Sequence, residues 1–244
     1  MNHCRKVRGT LLICGVTERQ EYFQNGQVIL IDKELEWTSF DVVKRMRGIT
    51  KVRKVGHAGT LDPLATGLLI VCTGKATKTI NSVQAMEKEY SGEIRLGATT
   101  ASYDLETEVI PSGMELDLTN ADVEVAVQKL TGEIEQIPPV YSAVKVDGER
   151  AYKKARRGEE IQIKSRTLVV SEFHWERPES DLIRFRIVCS KGTYIRTIAN
   201  DLGVYLGCGA YLASLRRERI GDYHVKDASL IGDFASHVES LFPS

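Results

Sequence analysis

The stretch GHAGTLDPLATG, residues 56–67, restricts the local backbone more than any other part of the chain. Its three glycines allow the backbone to turn sharply or to lie against a ligand. Pro63 fixes its own φ angle and disfavours helical geometry at the residue before it. Asp62 is the one acid of this stretch. It is therefore predicted to lie in a stiff turn or extended segment.

The surroundings of this loop leave two interpretations of Asp62 open. The preceding segment KRMRGITKVRK, residues 44–54, contains no acid. An isolated carboxylate on a rigid loop beside a cationic segment suits a nucleophile that faces a polyanion. An aspartate before a proline is also ordinary turn chemistry. The local sequence therefore predicts either a nucleophile or a solvated turn residue.

Composition narrows the class of protein without identifying it. A chain of 244 residues can form one large domain or two modest ones. Lys plus Arg and Asp plus Glu number 33 each. Only a local basic patch could therefore indicate a nucleic-acid partner. The cysteines are widely spaced without a CxxC pair, and the longest apolar runs are too short to span a bilayer. We expect a cytoplasmic protein with reduced thiols and no membrane contact.

Apolar periodicity and turn residues predict a series of strands and helices. Strands are predicted at 28–32, 68–72, 89–96, 137–146, 167–173, 182–190 and 210–223, and helices at 38–47, 75–86, 119–130, after 192 and from 227 onward. Gly48 is expected to end the helix that Thr38 or Ser39 begins. Residues 1–24 show no clear period. They are expected to form an N-terminal extension and are a candidate for disorder.

Several common chemistries are excluded by missing motif residues. TGKAT, residues 73–77, lacks both the first glycine of a phosphate-binding loop and the Ser or Thr after its lysine. No GxSxG motif of a serine hydrolase is present. The half-motif HVE, residues 237–239, is not followed by the PCxxC that a zinc deaminase requires.

Five stretches together resemble the bacterial tRNA pseudouridine-55 synthase (TruB) family. The resemblance rests on GHAGTLDPLATG at 56–67, TSFDVV at 38–43, EKEYSGEIRLGATTASYD at 87–104, IPPVYSAVKVDGERAY at 137–152 and CSKGTYIRTIANDLG at 189–203. LRRERIG at 215–221 continues it. The motifs follow the family's order and spacing over roughly residues 28–230, which argues against coincidence.

The resemblance implies the fold and the reaction. The implied fold is the α/β (α+β) pseudouridine synthase fold, in which helices flank a mixed, mostly antiparallel central sheet with an RNA-binding cleft. Residues 25–244 would form the catalytic domain, with an RNA-gripping insertion at about 140–166 and no C-terminal PUA domain. The implied reaction isomerises uridine 55 of the tRNA T loop to pseudouridine after base flipping, and it needs no cofactor or metal.

The resemblance also assigns roles to single residues. Asp62 matches the family nucleophile, which would attack either the uracil ring or the anomeric carbon of the sugar. Arg196 matches the arginine that pairs with this aspartate. Tyr90 matches a tyrosine that stacks on the flipped base and takes part in proton removal. Tyr194 matches a second aromatic residue of the pocket, and His57 a residue near the flipped nucleotides. Without the resemblance, an ordinary structural role would be a second interpretation of Arg196, Tyr90, Tyr194 and His57.

Two basic regions are expected to hold the RNA backbone electrostatically. The residues expected to contact RNA are Lys44, Arg45, Arg53, Lys54, Arg150, Lys153 and Arg156. Acidic residues lie among the basic ones in residues 147–166, so a solvated helix is a second interpretation of that region. The expected partner is the T arm of tRNA. A monomer without an obligatory protein partner is expected.

The sequence departs from the family pattern in one motif. The family usually has DKPxGxTS where this chain reads DKELEWTS, with Glu34 and Glu36 at the positions of the Pro and the Gly. Two other functions stay open: an RNA-binding or tRNA-folding protein whose isomerase activity is secondary, and an isomerase guided by a separate RNA. A binding protein has no need of the Asp62 carboxylate. The guided relatives rely on the C-terminal domain that is expected to be missing.

Overall fold

The computed structural model describes residues 17–142, 145, 146, 148–150, 157, 159 and 163–243. These residues form two compact units. The first unit holds the described residues up to Pro63, Gly67–Gln84 and those from Val225 onward. The second holds Leu64–Thr66 and the described part of Ala85–His224. Within the described ranges, no helix is long and apolar enough to cross a membrane.

The elements of the described chain follow in sequence order. The N-terminal half contains α1 (Glu18–Asn25), β1 (Val28–Lys33), α2 (Ser39–Thr50), β2 (Val55–His57), β3 (Ala65–Thr73), a 3₁₀ helix (Gly74–Thr79), α3 (Ile80–Ala85), β4 (Lys88–Leu96), β5 (Ala98–Thr99) and β6 (Ile110–Pro111). The C-terminal half contains α4 (Asn120–Lys129), β7 (Gly132–Gln136), β8 (Lys145–Val146), β9 (Glu149–Arg150), β10 (Arg166–Glu179), β11 (Leu182–Cys189), α5 (Ile195–Leu206), β12 (Ala210–Ile220), β13 (Tyr223–His224), a second 3₁₀ helix (Val225–Asp227) and α6 (Ile231–Leu241).

In the first unit, strands β1 and β2 pair antiparallel with β3, and helix α2 contributes its apolar face to the core. Thr38 caps α2 through a capping box with Asp41. The helix does not end at Gly48, as the sequence predicted, but continues to Thr50 and closes on Lys51 in the left-handed conformation. The extra turn buries Ile49. Burial of this side chain, rather than the glycine, therefore sets the end of the helix.

The prediction that residues 1–24 form a loose extension is wrong for residues 18–24. Helix α1 begins at a capping box formed by Thr17 and Gln20. Its Phe23 is buried in the core of the first unit, where its ring lies 6.3 Å from that of Phe234. One buried aromatic side chain fixes a helix that is otherwise polar, and such a helix shows no apolar period. Residues 1–16 lie outside the described residues.

In the second unit, five strands pair antiparallel in the order β12-β4-β11-β10-β7. Strand β4 alternates as the sequence predicted: Tyr90, Ile94 and Leu96 are buried on one face, whereas the residues between them are partly exposed. Helix α5 packs against β12. The prediction of a mixed α/β fold with a mostly antiparallel sheet and helices is confirmed.

The predicted RNA-gripping insertion at 140–166 is described only in part. Its strands β8 and β9 form a short antiparallel pair. The strand expected across 137–146 is present at its C-terminal end alone among the described residues. The helix expected at 75–86 begins as the 3₁₀ helix and becomes α-helical at Ile80.

Candidate active site

The backbone before Asp62 is held by the first residue of helix α2. The hydroxyl of Ser39 accepts a hydrogen bond from the Leu61 amide at 2.8 Å and donates one to the Leu61 carbonyl at 3.0 Å. Ser39 and Leu61 are both buried. The next residue, Asp62, is partly exposed. Asp62 therefore belongs to a loop in which the preceding residue is fixed.

The backbone after Asp62 is held by the DKELE segment. The carbonyl of Pro63 accepts a hydrogen bond from the Glu36 amide at 2.9 Å and from the Lys33 ammonium at 3.3 Å. The Lys33 side chain is almost completely buried, and its ammonium also donates to the carbonyls of Glu34 and Trp37. This buried cation thus binds three backbone carbonyls through charge-assisted hydrogen bonds.

The structure explains the departure at Glu36. This residue has φ 68°, the left-handed conformation that glycine adopts without cost. The family pattern has glycine at this position, where this chain has a glutamate in a strained conformation. The Glu36 amide is thereby directed at Pro63. In the Asp62 loop itself, Gly59 and Gly67 have φ of 100° and 98°, so both positions require glycine.

Arg196 is paired with a carboxylate of its own unit, that of Asp104. Its side chain is buried, and its Nε lies 3.4 Å from the Oδ2 of Asp104, which is equally buried. Its two terminal nitrogens donate to the carbonyls of Ser102 at 3.0 Å and Tyr141 at 3.2 Å. These bonds orient the guanidinium within the second unit. A pairing of Arg196 with Asp62 stays a prediction.

Tyr194 is fixed by a reciprocal pair of bonds like the one at Leu61. The side-chain amide of Gln136 accepts from the Tyr194 amide at 2.8 Å and donates to the Tyr194 carbonyl at 3.1 Å. Gln136 is buried at the end of β7. Tyr194 is also the N-cap residue directly before helix α5. Gln136 therefore positions the helix end that carries Arg196.

Tyr90 lies in the middle of the sheet of the second unit. It is buried in β4 between Ile187 of β11 and Arg217 of β12. Two residues away, burial and the neighbouring charge of Arg217 lower the pKa of the Lys88 ammonium to about 8. Opposite Lys88, burial raises the pKa of the Cys189 thiol to about 12, so this thiol is unreactive at neutral pH. Tyr90 is thus buried in the sheet beside two basic side chains, those of Lys88 and Arg217.

Four of the predicted RNA-contacting residues are exposed, and three lie partly or wholly outside the described part of the chain. Lys44 and Arg45 are exposed on α2, and Arg53 and Lys54 are exposed in the segment before β2. His57 is partly buried at the end of β2. Arg150 belongs to β9, although its side chain lies outside the described part, and Lys153 and Arg156 lie wholly outside it.

One arginine of the insertion has its charge balanced internally. Arg157 forms bonds of 2.9 and 2.8 Å to the carboxylate of Glu149 and one of 2.6 Å to Glu159. These carboxylates raise the pKa of Arg157. It therefore offers less net charge to a polyanion than the sequence suggests.

The structure places the predicted residues in two groups. The first unit holds Asp62, His57, Lys44, Arg45, Arg53 and Lys54, and the second holds Tyr90, Tyr194 and Arg196. Four supporting residues had no predicted role in the site, namely Lys33, Ser39, Asp104 and Gln136. Each lies in or beside one of the motifs quoted above, and this proximity was the sequence signal available for it. Each of them, however, has a partner at least 22 residues away in sequence, as Ser39 has in Leu61 and Gln136 in Tyr194.

Comparisons with known proteins identify the family of the chain. The sequence model described as "TruB family pseudouridylate synthase (N terminal domain)" matches residues 47–195, and "tRNA pseudouridylate synthase B C-terminal domain" matches residues 196–239. The tRNA pseudouridine synthase B of Phocaeicola vulgatus is 49% identical over 219 residues, covering 87% of this chain and 93% of that protein. The one of Flavobacterium johnsoniae is 49% identical over 216 residues, covering 86% and 94%.

Solved structures show the same fold. A chain of a Cbf5-Nop10-Gar1 complex superposes with a TM-score of 0.69 at 27% identity, covering 91% of this chain and 57% of that chain. An H/ACA RNP bound to a substrate RNA containing 2'-deoxyuridine gives a TM-score of 0.67 at 25% identity, covering 90% and 55%. The chain thus spans a little more than half the length of these structural relatives. On the sequence matches, the chain belongs to the TruB family of pseudouridylate synthases.

Proposed function

We propose that this chain is a tRNA pseudouridine synthase that isomerises uridine 55 of the T loop, with Asp62 as its nucleophile. Relatives named tRNA pseudouridine synthase B, matched over most of their length, support the activity. A cytoplasmic location is proposed with it, since tRNA is available there and buried free thiols such as Cys72 remain reduced there.

The observation that carries the assignment of Asp62 is the anchoring of its loop. Ser39 fixes the residue before Asp62, and Lys33 with Glu36 fixes the residue after it. A solvated turn aspartate needs no such support on both sides. A nucleophile does, because a displacement of about 1 Å from the reactive geometry can cost a hundredfold in rate. The buried bonds therefore favour the nucleophile over the turn residue.

The proposed reaction breaks one bond and forms another on the same base. Asp62 attacks either the uracil ring or the anomeric carbon, the bond from N1 to the sugar breaks, and the base rotates. The sugar then joins carbon 5, and the bond between Asp62 and its target breaks, which frees the carboxylate. The proton of carbon 5 leaves and N1 gains a proton, so the atoms balance. Covalent catalysis divides this exchange into two easier steps. Tyr90 would stack on the base and take part in removing the proton, and Arg196 would orient the Asp62 carboxylate.

The target base must leave the folded T loop before it can react, which costs a few kcal/mol of stacking. The exposed cations of the first unit would offset this cost by binding the RNA backbone. Lys44, Arg45, Arg53 and Lys54 would form this contact, with His57 and Tyr194 near the extruded nucleotides. Arg150, Lys153 and Arg156 would extend it from the insertion.

The function is tested with the purified chain alone and an unmodified tRNA transcript. We expect pseudouridine at position 55, mapped by carbodiimide adducts, without added cofactor, guide RNA or second protein. A transcript with cytidine at position 55 is the control and should give no adduct in the T loop. If the uridine transcript stays unmodified, the proposed function is wrong. Activity that appears only with a guide RNA would instead favour the guided class.

Replacing Lys44, Arg45, Arg53 and Lys54 together by Gln should weaken tRNA binding and reduce its dependence on salt. The slope of log Kd against log salt should fall by roughly 0.7–0.9 for each phosphate that the protein no longer neutralises. Filter binding between low and moderate salt measures it. The control is Arg157→Gln, which should change the slope by less than a quarter as much because Arg157 is already paired. An unchanged slope in the fourfold variant would remove this segment from the RNA interface.

A further inference from the structure

We propose that Ser39 is a positioning residue for the nucleophile, because its hydroxyl fixes the peptide unit from which Asp62 extends. This inference rests on the proposed role of Asp62. In this proposal, Ser39 does not touch the reacting atoms. It acts through Leu61 by controlling where the carboxylate lies.

The geometry is a closed pair of hydrogen bonds around one oxygen atom. The Ser39 Oγ accepts from the Leu61 amide at 2.8 Å and donates to the Leu61 carbonyl at 3.0 Å. Bonding both backbone groups of one residue restrains rotation on each side of its Cα. Ser39 is only 2% exposed and Leu61 only 4%, so water cannot replace these bonds without opening the core. Each bond is costly to leave unmade at such a site.

The Ser39 side chain is itself fixed by the helix that carries it. Ser39 is the first residue of α2, directly after the capping residue Thr38. The Thr38 hydroxyl accepts a hydrogen bond from the Asp41 amide, and the Asp41 carboxylate accepts one from the Thr38 amide, which closes this end of the helix. Val42 and Met46, on the same helix, are buried in the core of the first unit. Through this one hydroxyl group, the packed helix α2 therefore fixes the position of the loop.

Two features separate this contact from general support of the fold. The serine hydroxyl bonds the loop residue adjacent to the proposed nucleophile, whereas the neighbouring threonine hydroxyl bonds only its own helix. The two residues are consecutive and both carry one hydroxyl group. Removal of the threonine hydroxyl weakens the start of α2, whereas removal of the serine hydroxyl releases Leu61. Thr38 is therefore a matched control for Ser39.

The test compares Ser39→Ala with Thr38→Ala, alongside the wild type and Asp62→Asn. We expect Ser39→Ala to reduce the single-turnover rate at saturating tRNA by about 10- to 100-fold, with the Kd for tRNA within twofold of wild type. Thr38→Ala should lower the Tm to a similar extent yet keep the rate within threefold. Ser39→Cys retains a small, weakly bonding group and should recover part of the rate.

The outcomes separate this inference from the proposed function. If the wild type makes pseudouridine and Asp62→Asn does not, the function stands whatever Ser39 does. The inference is then overturned if Ser39→Ala keeps the wild-type rate, if both alanine variants lose rate equally, or if the loss appears in Kd alone. If Ser39→Ala fails to fold, the rate and Kd of Ser39→Cys test the inference instead. A folded Cys variant with the wild-type rate would overturn the inference, and a slower one with unchanged Kd would support it.

Discussion

Asp62→Asn is expected to abolish pseudouridine formation while tRNA binding stays within a few-fold of wild type. An amide oxygen is a far weaker nucleophile than a carboxylate, and loss of a catalytic nucleophile lowers rates by more than about a thousandfold. Asparagine has nearly the same size, and the anchors at Leu61 and Pro63 are bonds to backbone atoms. The loop should therefore keep its shape. Carbodiimide mapping after single turnover, together with a filter-binding Kd, measures both quantities.

A matched control for this substitution is Asp181→Asn. The Asp181 carboxylate is exposed and pairs with Arg95 at 2.9 Å in the second unit. Exposed ion pairs contribute at most about 1 kcal/mol to stability, so this variant should keep full activity. If Asp62→Asn also keeps full activity, the proposed mechanism is wrong even though the family assignment stands. If Asp62→Asn loses tRNA binding in parallel with rate, the residue contributes to binding instead of chemistry.

The sequence predicted those parts of the fold that local patterns determine. Alternation along β4 placed Tyr90 on a buried face, and the capping residue Thr38 located the start of α2. The glycines and the proline around Asp62 predicted a stiff loop, and Gly59 and Gly67 have the conformations that require glycine. In each of these cases the information lies within about ten residues of chain. Local backbone chemistry therefore suffices to predict it.

The sequence could not predict which distant residues hold the site. Ser39 and Gln136 each bond both backbone groups of a residue more than twenty positions away, and no spacing rule contains such a contact. The end of α2 and the helix at 18–25 were likewise determined by burial of single side chains, Ile49 and Phe23. Tertiary packing overrode the local signals there. The family resemblance named Arg196 but not the aspartate that accompanies it.

Breaking the pair formed by Arg196 and Asp104 should have the largest effect on stability. Both side chains are buried, and Arg196→Met leaves the Asp104 carboxylate without this cation. Removing one partner of a buried ion pair costs about 3–5 kcal/mol. Asp104→Asn should also destabilise the protein, because the guanidinium then lacks this counter-charge. The Asn oxygen can still accept the hydrogen bond that the Glu106 amide gives to Asp104. Urea unfolding of each variant measures the loss.

The double variant Arg196→Met with Asp104→Asn separates the structural role of the pair from its catalytic role. Removing both charges leaves no buried charge of this pair uncompensated, so we expect at least half of the lost stability to return. Pseudouridine formation should nevertheless stay below about a hundredth of the wild-type rate, since no guanidinium remains to orient Asp62. If activity returned together with stability, Arg196 would serve only to hold the second unit together. A double variant that regains stability without regaining activity would leave the guanidinium as the group that catalysis requires.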